Sequence, residues 1–130
     1  IPVKGHLGLL PQTHKGKFKY KGKKQAERKK ILNDAKLLES AGVFSIVLEC
    51  VETELSKKIT QALKVPTIGI GSSANCDGQV LVLDDLIGLG QTNLKFVKKY
   101  INLNKIIEGA VKKYKSEVIK KQFPKLKHSF

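Results

Sequence analysis

Glu49 is the lone acid at the tip of the apolar run Phe44 to Leu48, in the stretch SIVLEC. A carboxylate at the carboxyl end of a buried strand, followed by a helix and a second buried strand, stands where α/β enzymes keep their chemistry. Beside so many apolar neighbours a buried carboxylate needs either a partner or a task. Carboxylates withdrawn from water hold a proton more firmly, which suits a general base working near neutral pH. The alternative is an exposed glutamate just past the strand that caps the following helix. Cys50, one residue on, should point to the opposite side and serve as packing.

His6 follows the short apolar start Ile1-Pro2-Val3 and sits in GHLGL, where Gly5 and Gly8 would let the backbone turn tightly around it. A histidine just past a strand end could donate to an anionic substrate, or simply be satisfied by a nearby carbonyl. The loop GIGSSANCDGQ contains a GxG but neither GxGxxG nor GK[ST], so its glycines point to close backbone approach rather than to a phosphate cradle. Asp84 and Asp85 could reach a metal ion. Adjacent strand positions point opposite ways, however, and acids opening a helix are the competing explanation.

The elements that must position these residues are legible from periodicity. Ile31, Ala35 and Leu38 recur at helical spacing within 25–40, and Gly42 follows the stop. Residues 44–50 form a continuous apolar run suited to a strand covered on both faces. A helix over 53–63 should carry Leu55, Ile59 and Ala62 on one stripe, with Glu54 near its positive end. Pro66 then leads into a strand over 67–70, a polar loop over 71–78 and a strand over 79–83. Two helices, 94–101 and 104–121, close the chain, the second with Ile107, Ala110, Val111, Tyr114 and Val118 on one face. A further strand is expected at Ile1 to Val3. Strands alternating with helices imply parallel pairing through crossovers, hence a doubly wound sheet or a (β/α)8 barrel, for which the strands here are too few to close.

Bulk composition sets the remaining bounds. The chain has 130 residues and is 41% hydrophobic, enough to build the core of one small domain or part of one. No apolar run approaches the ~18 to 20 residues that span a bilayer, and the first residues lack the apolar stretch of a secretory signal. A cytoplasmic protein without membrane partners is therefore expected. The two cysteines, Cys50 and Cys76, form no CxxC pair and lie at no metal-ligand spacing from a histidine, so neither a zinc site nor a disulfide is expected.

A net charge of +14 invites a nucleic-acid reading, because clustered lysines neutralise phosphates. Arg28 is the only arginine, though, and the lysines are spread along the whole chain at positions such as Lys57, Lys58, Lys98, Lys99, Lys112 and Lys113. That pattern favours a solvated surface over a recognition site built on bidentate arginine. The chain starts at Ile1 and contains no methionine, which suggests a fragment.

Five ordered motifs carry a resemblance over essentially the whole chain: GHLGLLPQ at 5–12, SIVLEC at 45–50, PTIGIG at 66–71, DGQVLVLDDLIGL at 77–89 and the closing HSF at 128–130. Together they resemble ketopantoate hydroxymethyltransferase. The resemblance implies the C-terminal half of a single (β/α)8 TIM barrel of the phosphoenolpyruvate/pyruvate type, the N-terminal half being absent from this chain. Its fifth strand would end near Ile1, and 44–50, 67–71 and 79–83 would supply the sixth to eighth. The implied reaction transfers a hydroxymethyl group from 5,10-methylenetetrahydrofolate to 3-methyl-2-oxobutanoate, giving 2-dehydropantoate for pantothenate and coenzyme A. By the same resemblance Glu49 is the proton acceptor and His6 helps bind the oxo acid. A magnesium ion polarises the substrate carbonyl, with ligands expected in the missing half and none in this chain.

The partners so implied are a small 2-oxo acid, a folate and further copies of the same subunit, with Val118 to Phe130 as an intersubunit element. Alone, the chain should be inactive. The family's usual proline after ECV is Glu52 here, its His-Asp after the eighth strand is Asp84-Asp85, and its glycine-rich loop after GIG is Ser72-Ser73. The lysine-rich 15–23 lacks the usual GGY. A lysine-rich nucleic-acid-binding module, or a non-catalytic interaction remnant of such a barrel, is the competing function.

Overall fold

The computed structural model describes residues 1–11 and 19–130, so Gln12 of the first motif and positions 15–18 of the lysine-rich segment lie outside the described residues. The chain divides into two compact units, Ile1–Leu81 and Val82–Phe130.

In the first unit the order is β1 (Lys4–Gly8), α1 (Gln25–Ser40), β2 (Ser45–Glu49), α2 (Thr53–Ala62), β3 (Thr67–Ile70) and β4 (Gly78–Gln79). All neighbouring strands are parallel, in the order β1-β2-β3-β4. The fold is thus α/β, with strands and helices alternating as far as β3 and a loop leading from β3 to β4. Ile46 and Leu48 are wholly buried in one core cluster with Ile31, Ala35, Leu55 and Ile59. Because successive side chains alternate across a strand, Val47 and Glu49 belong to the other face. Register puts His6 beside Val47, Gly8 beside Glu49, and Glu49 beside Ile70.

The helix over 25–40 and the strand over 67–70 lie where periodicity predicts them. Several expectations need correction. The first strand is not Ile1 to Val3 but Lys4–Gly8, so His6 is mid-strand rather than past the strand end. Gly5 does not turn the chain: a Cβ there would meet Leu38 at 3.0 Å and Ile46 at 3.2 Å, so its bareness lets α1 and β2 close on β1. On α2 the buried stripe takes in Ser56 in place of the exposed Ala62, and the Ser56 hydroxyl is satisfied by the Val51 and Glu52 carbonyls. The last strand is Gly78–Gln79 rather than 79–83. The Val80 amide still donates to the Gly69 carbonyl at 3.0 Å, but β3 ends one residue later and the pairing template runs out.

In the second unit α3 (Leu83–Leu86) and α4 (Leu103–Ile119) precede a 3₁₀ turn at Leu126–His128. The helix expected over 94–101 is absent, because the amides of Tyr100 and Leu103 donate to the Leu86 and Ile87 carbonyls instead of to their own preceding turn. Asn102 caps α4, its side chain accepting from the Lys105 amide at 3.2 Å. The row Ile107, Val111, Tyr114 and Val118 is exposed. Among the described residues no helix is long and apolar enough to cross a membrane.

Gly8 and Gly42 both sit at positive φ, +100° and +86°, but only at Gly8 is the neighbouring space filled. A Cβ on Gly8 would lie 2.1 Å from the Glu49 carbonyl oxygen and 2.6 Å from Val51, whereas Gly42 has nothing within 4 Å. Urea unfolding should therefore show Gly42→Ala losing about 1 kcal/mol, the backbone cost alone. Gly8→Ala should lose at least about 2 kcal/mol, since it must also displace the end of β2. Equal losses in the two variants would refute the close approach of β1 to Glu49.

Candidate active site

β1 and β2 bring His6 and Glu49 together on one face of the sheet. His6 Nε2 lies 3.1 Å from Glu49 Oε2, with the two side chains 35% and 12% exposed. Glu49 is thus the enclosed member of the pair and His6 the accessible one. The sequence singled out both residues, and their contact follows from the parallel register, which sets His6 and Glu49 diagonally across adjacent strands.

The backbone around Glu49 is tied on several sides. Its carbonyl accepts from the Leu9 amide at 2.8 Å, while the Cys50 amide donates to the Ile70 carbonyl at 2.8 Å. The Cys50 carbonyl accepts from Lys21 at 2.7 Å, and the Glu52 amide donates to the Lys21 carbonyl at 2.9 Å. These bonds hold the stem that leads into α1 against the end of β2. Cys50 itself leaves the strand at φ +50°, a left-handed conformation that glycine adopts far more readily. Its thiol is buried, and burial, assisted by the neighbouring Glu49 charge, raises its pKa. It therefore stays protonated near neutral pH and acts as packing. Cys76 is likewise buried and free.

The helix-capping role that was open to Glu49 belongs to Glu52. The Glu52 carboxylate accepts from the Glu54 and Leu55 amides at 3.2 and 2.9 Å, opening α2, and pairs with Arg28 at 2.5 Å. Arg28 also donates to the Gly22 carbonyl at 3.2 Å, tying the same stem. The bond from Leu55 is the main reason the Glu52 carboxyl lies below its ordinary range, with Glu54 and Arg28 adding to it against partial burial. Periodicity gave no sign of this role for Arg28. A carboxylate immediately before the first residue of a helix was the signal available.

The 71–78 loop is held by its own side chains. Asp77 accepts from the Thr67 amide and hydroxyl at 2.8 and 3.1 Å, and Gln79 Nε2 donates to the Ser73 carbonyl at 2.8 Å. Asp84 and Asp85 lie in the first turn of α3, the helix-opening explanation. Asp85 is engaged by the Thr92 hydroxyl. Among the described residues no three His, Cys, Asp or Glu side chains converge as a metal ion would need. The described residues thus do not fit a magnesium site.

The family model described as ketopantoate hydroxymethyltransferase matches residues 1–126. Curated relatives named 3-methyl-2-oxobutanoate hydroxymethyltransferase include the Pelagibacter ubique protein, 62% identical over the whole chain and 50% of its own length. The relatives from Syntrophus aciditrophicus and Carboxydothermus hydrogenoformans are 53% and 51% identical over the whole chain, with 49% and 48% of their lengths covered. The chain spans about half the length of the curated relatives it matches.

Glu39 resembles Glu52 electrostatically: bonds from the Lys64 and Val65 amides hold its carboxyl below the ordinary range. A carboxylate so depressed adds stability above the unfolded value of ~4.3, and that increment disappears as pH falls through the folded value. Acidification from about pH 5 to pH 3 should therefore destabilise the wild type more steeply than the Glu39→Gln/Glu52→Gln variant. Parallel pH profiles in urea unfolding would show that neither carboxylate is held this way.

Proposed function

The chain belongs to the ketopantoate hydroxymethyltransferase family, and from that membership we propose that it serves as the C-terminal half of a (β/α)8 enzyme making 2-dehydropantoate. The reaction transfers a hydroxymethyl group from 5,10-methylenetetrahydrofolate to 3-methyl-2-oxobutanoate, on the way to pantothenate and coenzyme A. The observation that carries this reading is the enclosed Glu49 carboxylate in contact with the more open His6, 3.1 Å apart at the end of parallel strands.

Glu49 takes the proton from the carbon next to the keto carbonyl, and the C–H electron pair passes into an enolate. That enolate carbon then bonds to the one-carbon unit carried by the folate: water supplies the hydroxyl oxygen, both carbon–nitrogen bonds to that unit break, and the folate leaves as tetrahydrofolate. His6 holds the oxo acid, placing the acidic C–H against Glu49; the gain is one of position, because proton transfer needs donor and acceptor at hydrogen-bond distance. The magnesium ligands belong, on this reading, outside this chain. A cytoplasmic homo-oligomer completes the proposal, supported by the exposed apolar row on α4 that an assembly would cover.

In the complete enzyme, Glu49→Gln is expected to lower kcat by about 10² to 10⁴-fold with little change in KM. Deuterium uptake at C3 of the oxo acid in heavy water, followed by NMR, should slow by a similar factor. Exchange at the wild-type rate would remove Glu49 as the proton acceptor. The 130-residue chain assayed alone should give no turnover, and turnover by it would overturn the division of labour between the halves.

A further inference from the structure

Ser72 stands in the loop after β3, where the resemblance leads one to expect glycines, and its side-chain oxygen makes two bonds at once. It donates to the Leu48 carbonyl at 2.6 Å and accepts from the Val51 amide at 3.1 Å. A single hydroxyl therefore spans the two residues between, Glu49 and the left-handed Cys50. A non-glycine residue in that region is strained and persists only where its surroundings over-determine it. The ties from Leu9, Lys21 and Ile70 run from backbone to backbone. Among the described residues Ser72 is the side chain that closes this turn from both ends.

We propose that Ser72 is a positioning residue for Glu49. By fixing the carbonyl before Glu49 and the amide after Cys50, its hydroxyl sets the direction in which the Glu49 carboxylate leaves β2. Ser72 is itself only half-buried, so without the hydroxyl water can satisfy both backbone groups and the fold survives. What is lost is the fixed geometry, and displacement of a reacting group by ~1 Å costs up to ~10²-fold in rate. The inference rests on the reading of Glu49 as proton acceptor.

The test uses the complete enzyme and compares Ser72→Ala, Ser72→Thr, Glu49→Gln and the Glu49→Gln/Ser72→Ala double variant. Ser72→Ala should lower kcat about 10-fold with KM within about 2-fold, and slow deuterium uptake into the oxo acid by the same factor. Ser72→Thr, which keeps the hydroxyl, should restore most of the rate. On the Glu49→Gln background Ser72→Ala should cost nothing further, since the base it aims is gone. Wild-type kcat in Ser72→Ala, or a full additional 10-fold loss in the double variant, would overturn the inference while leaving Glu49 in place. Wild-type turnover in Glu49→Gln alone would overturn the reading of Glu49 and this inference with it. Should Ser72→Ala fail to fold, Ser72→Cys, with its weak donor, is expected to show the same loss of kcat, and wild-type kcat there counts against the proposal.

Discussion

Everything in the first unit hangs on how β2 ends. A parallel strand flanked on both sides has its backbone groups paired until the sheet stops, and beyond that point each N–H and C=O needs a new partner or water. Here the segment from Leu48 to Glu52 finds those partners in Leu9, Lys21, Ile70 and Ser72. The result is a sharp left-handed exit at Cys50 immediately after the carboxylate. Glu49 thus belongs to the last regular position of the strand, where its backbone is rigid, while the chain beyond is already turning into α2. A carboxylate on such a mount keeps its direction without needing its own side chain to be crowded on every side.

How legible this was depended on the length scale of each signal. Ile31 and Ala35 at helical spacing, and the apolar run ending at Leu48, report burial directly, and both elements stand where those patterns lie. His6 and Glu49 were legible as residue types but not as a pair, because their contact depends on a register that shifts β1 to Lys4–Gly8. Gly5 read as a turn because an isolated glycine carries no information about which neighbour fills its missing side chain. In 79–83 and 94–101 local propensity was overruled by backbone pairing available only in three dimensions: β3 ended too soon for the first, and the Leu86 and Ile87 carbonyls captured the second.

By the resemblance, Glu52 takes the place of a proline and Ser72 lies in place of a glycine-rich loop, and each has partners of its own. Glu52 stands where a proline would open the helix by its fixed φ alone. The carboxylate achieves the same opening by accepting the first amides, and gains a link to Arg28 and through it to Gly22. The effect of that link is geometric: the stem that bonds Cys50 through Lys21 is fixed at its far side by the chain's sole arginine.

On the proposed reading of Glu49 as proton acceptor, the two faces of the sheet divide the work between stability and chemistry. Ile46 and Leu48 are fully withdrawn from water against residues of α1 and α2, and this is where the burial that holds the unit together is concentrated. Val47, Glu49, Ile68 and Ile70 on the opposite face are only partly buried. A catalytic carboxylate placed among Ile46 and Leu48 would be beyond the reach of any substrate, and one on an exposed helix would be freely hydrated and unaimed. The period of two along β2 resolves that conflict, because alternate side chains of one short strand can anchor the core and address the substrate. Among the described residues, the groups bonded to Glu49 and its turn are one imidazole, the Ser72 and Ser56 hydroxyls, and backbone amides and carbonyls. Among the described residues, the position of Glu49 is therefore set by strand register and backbone pairing.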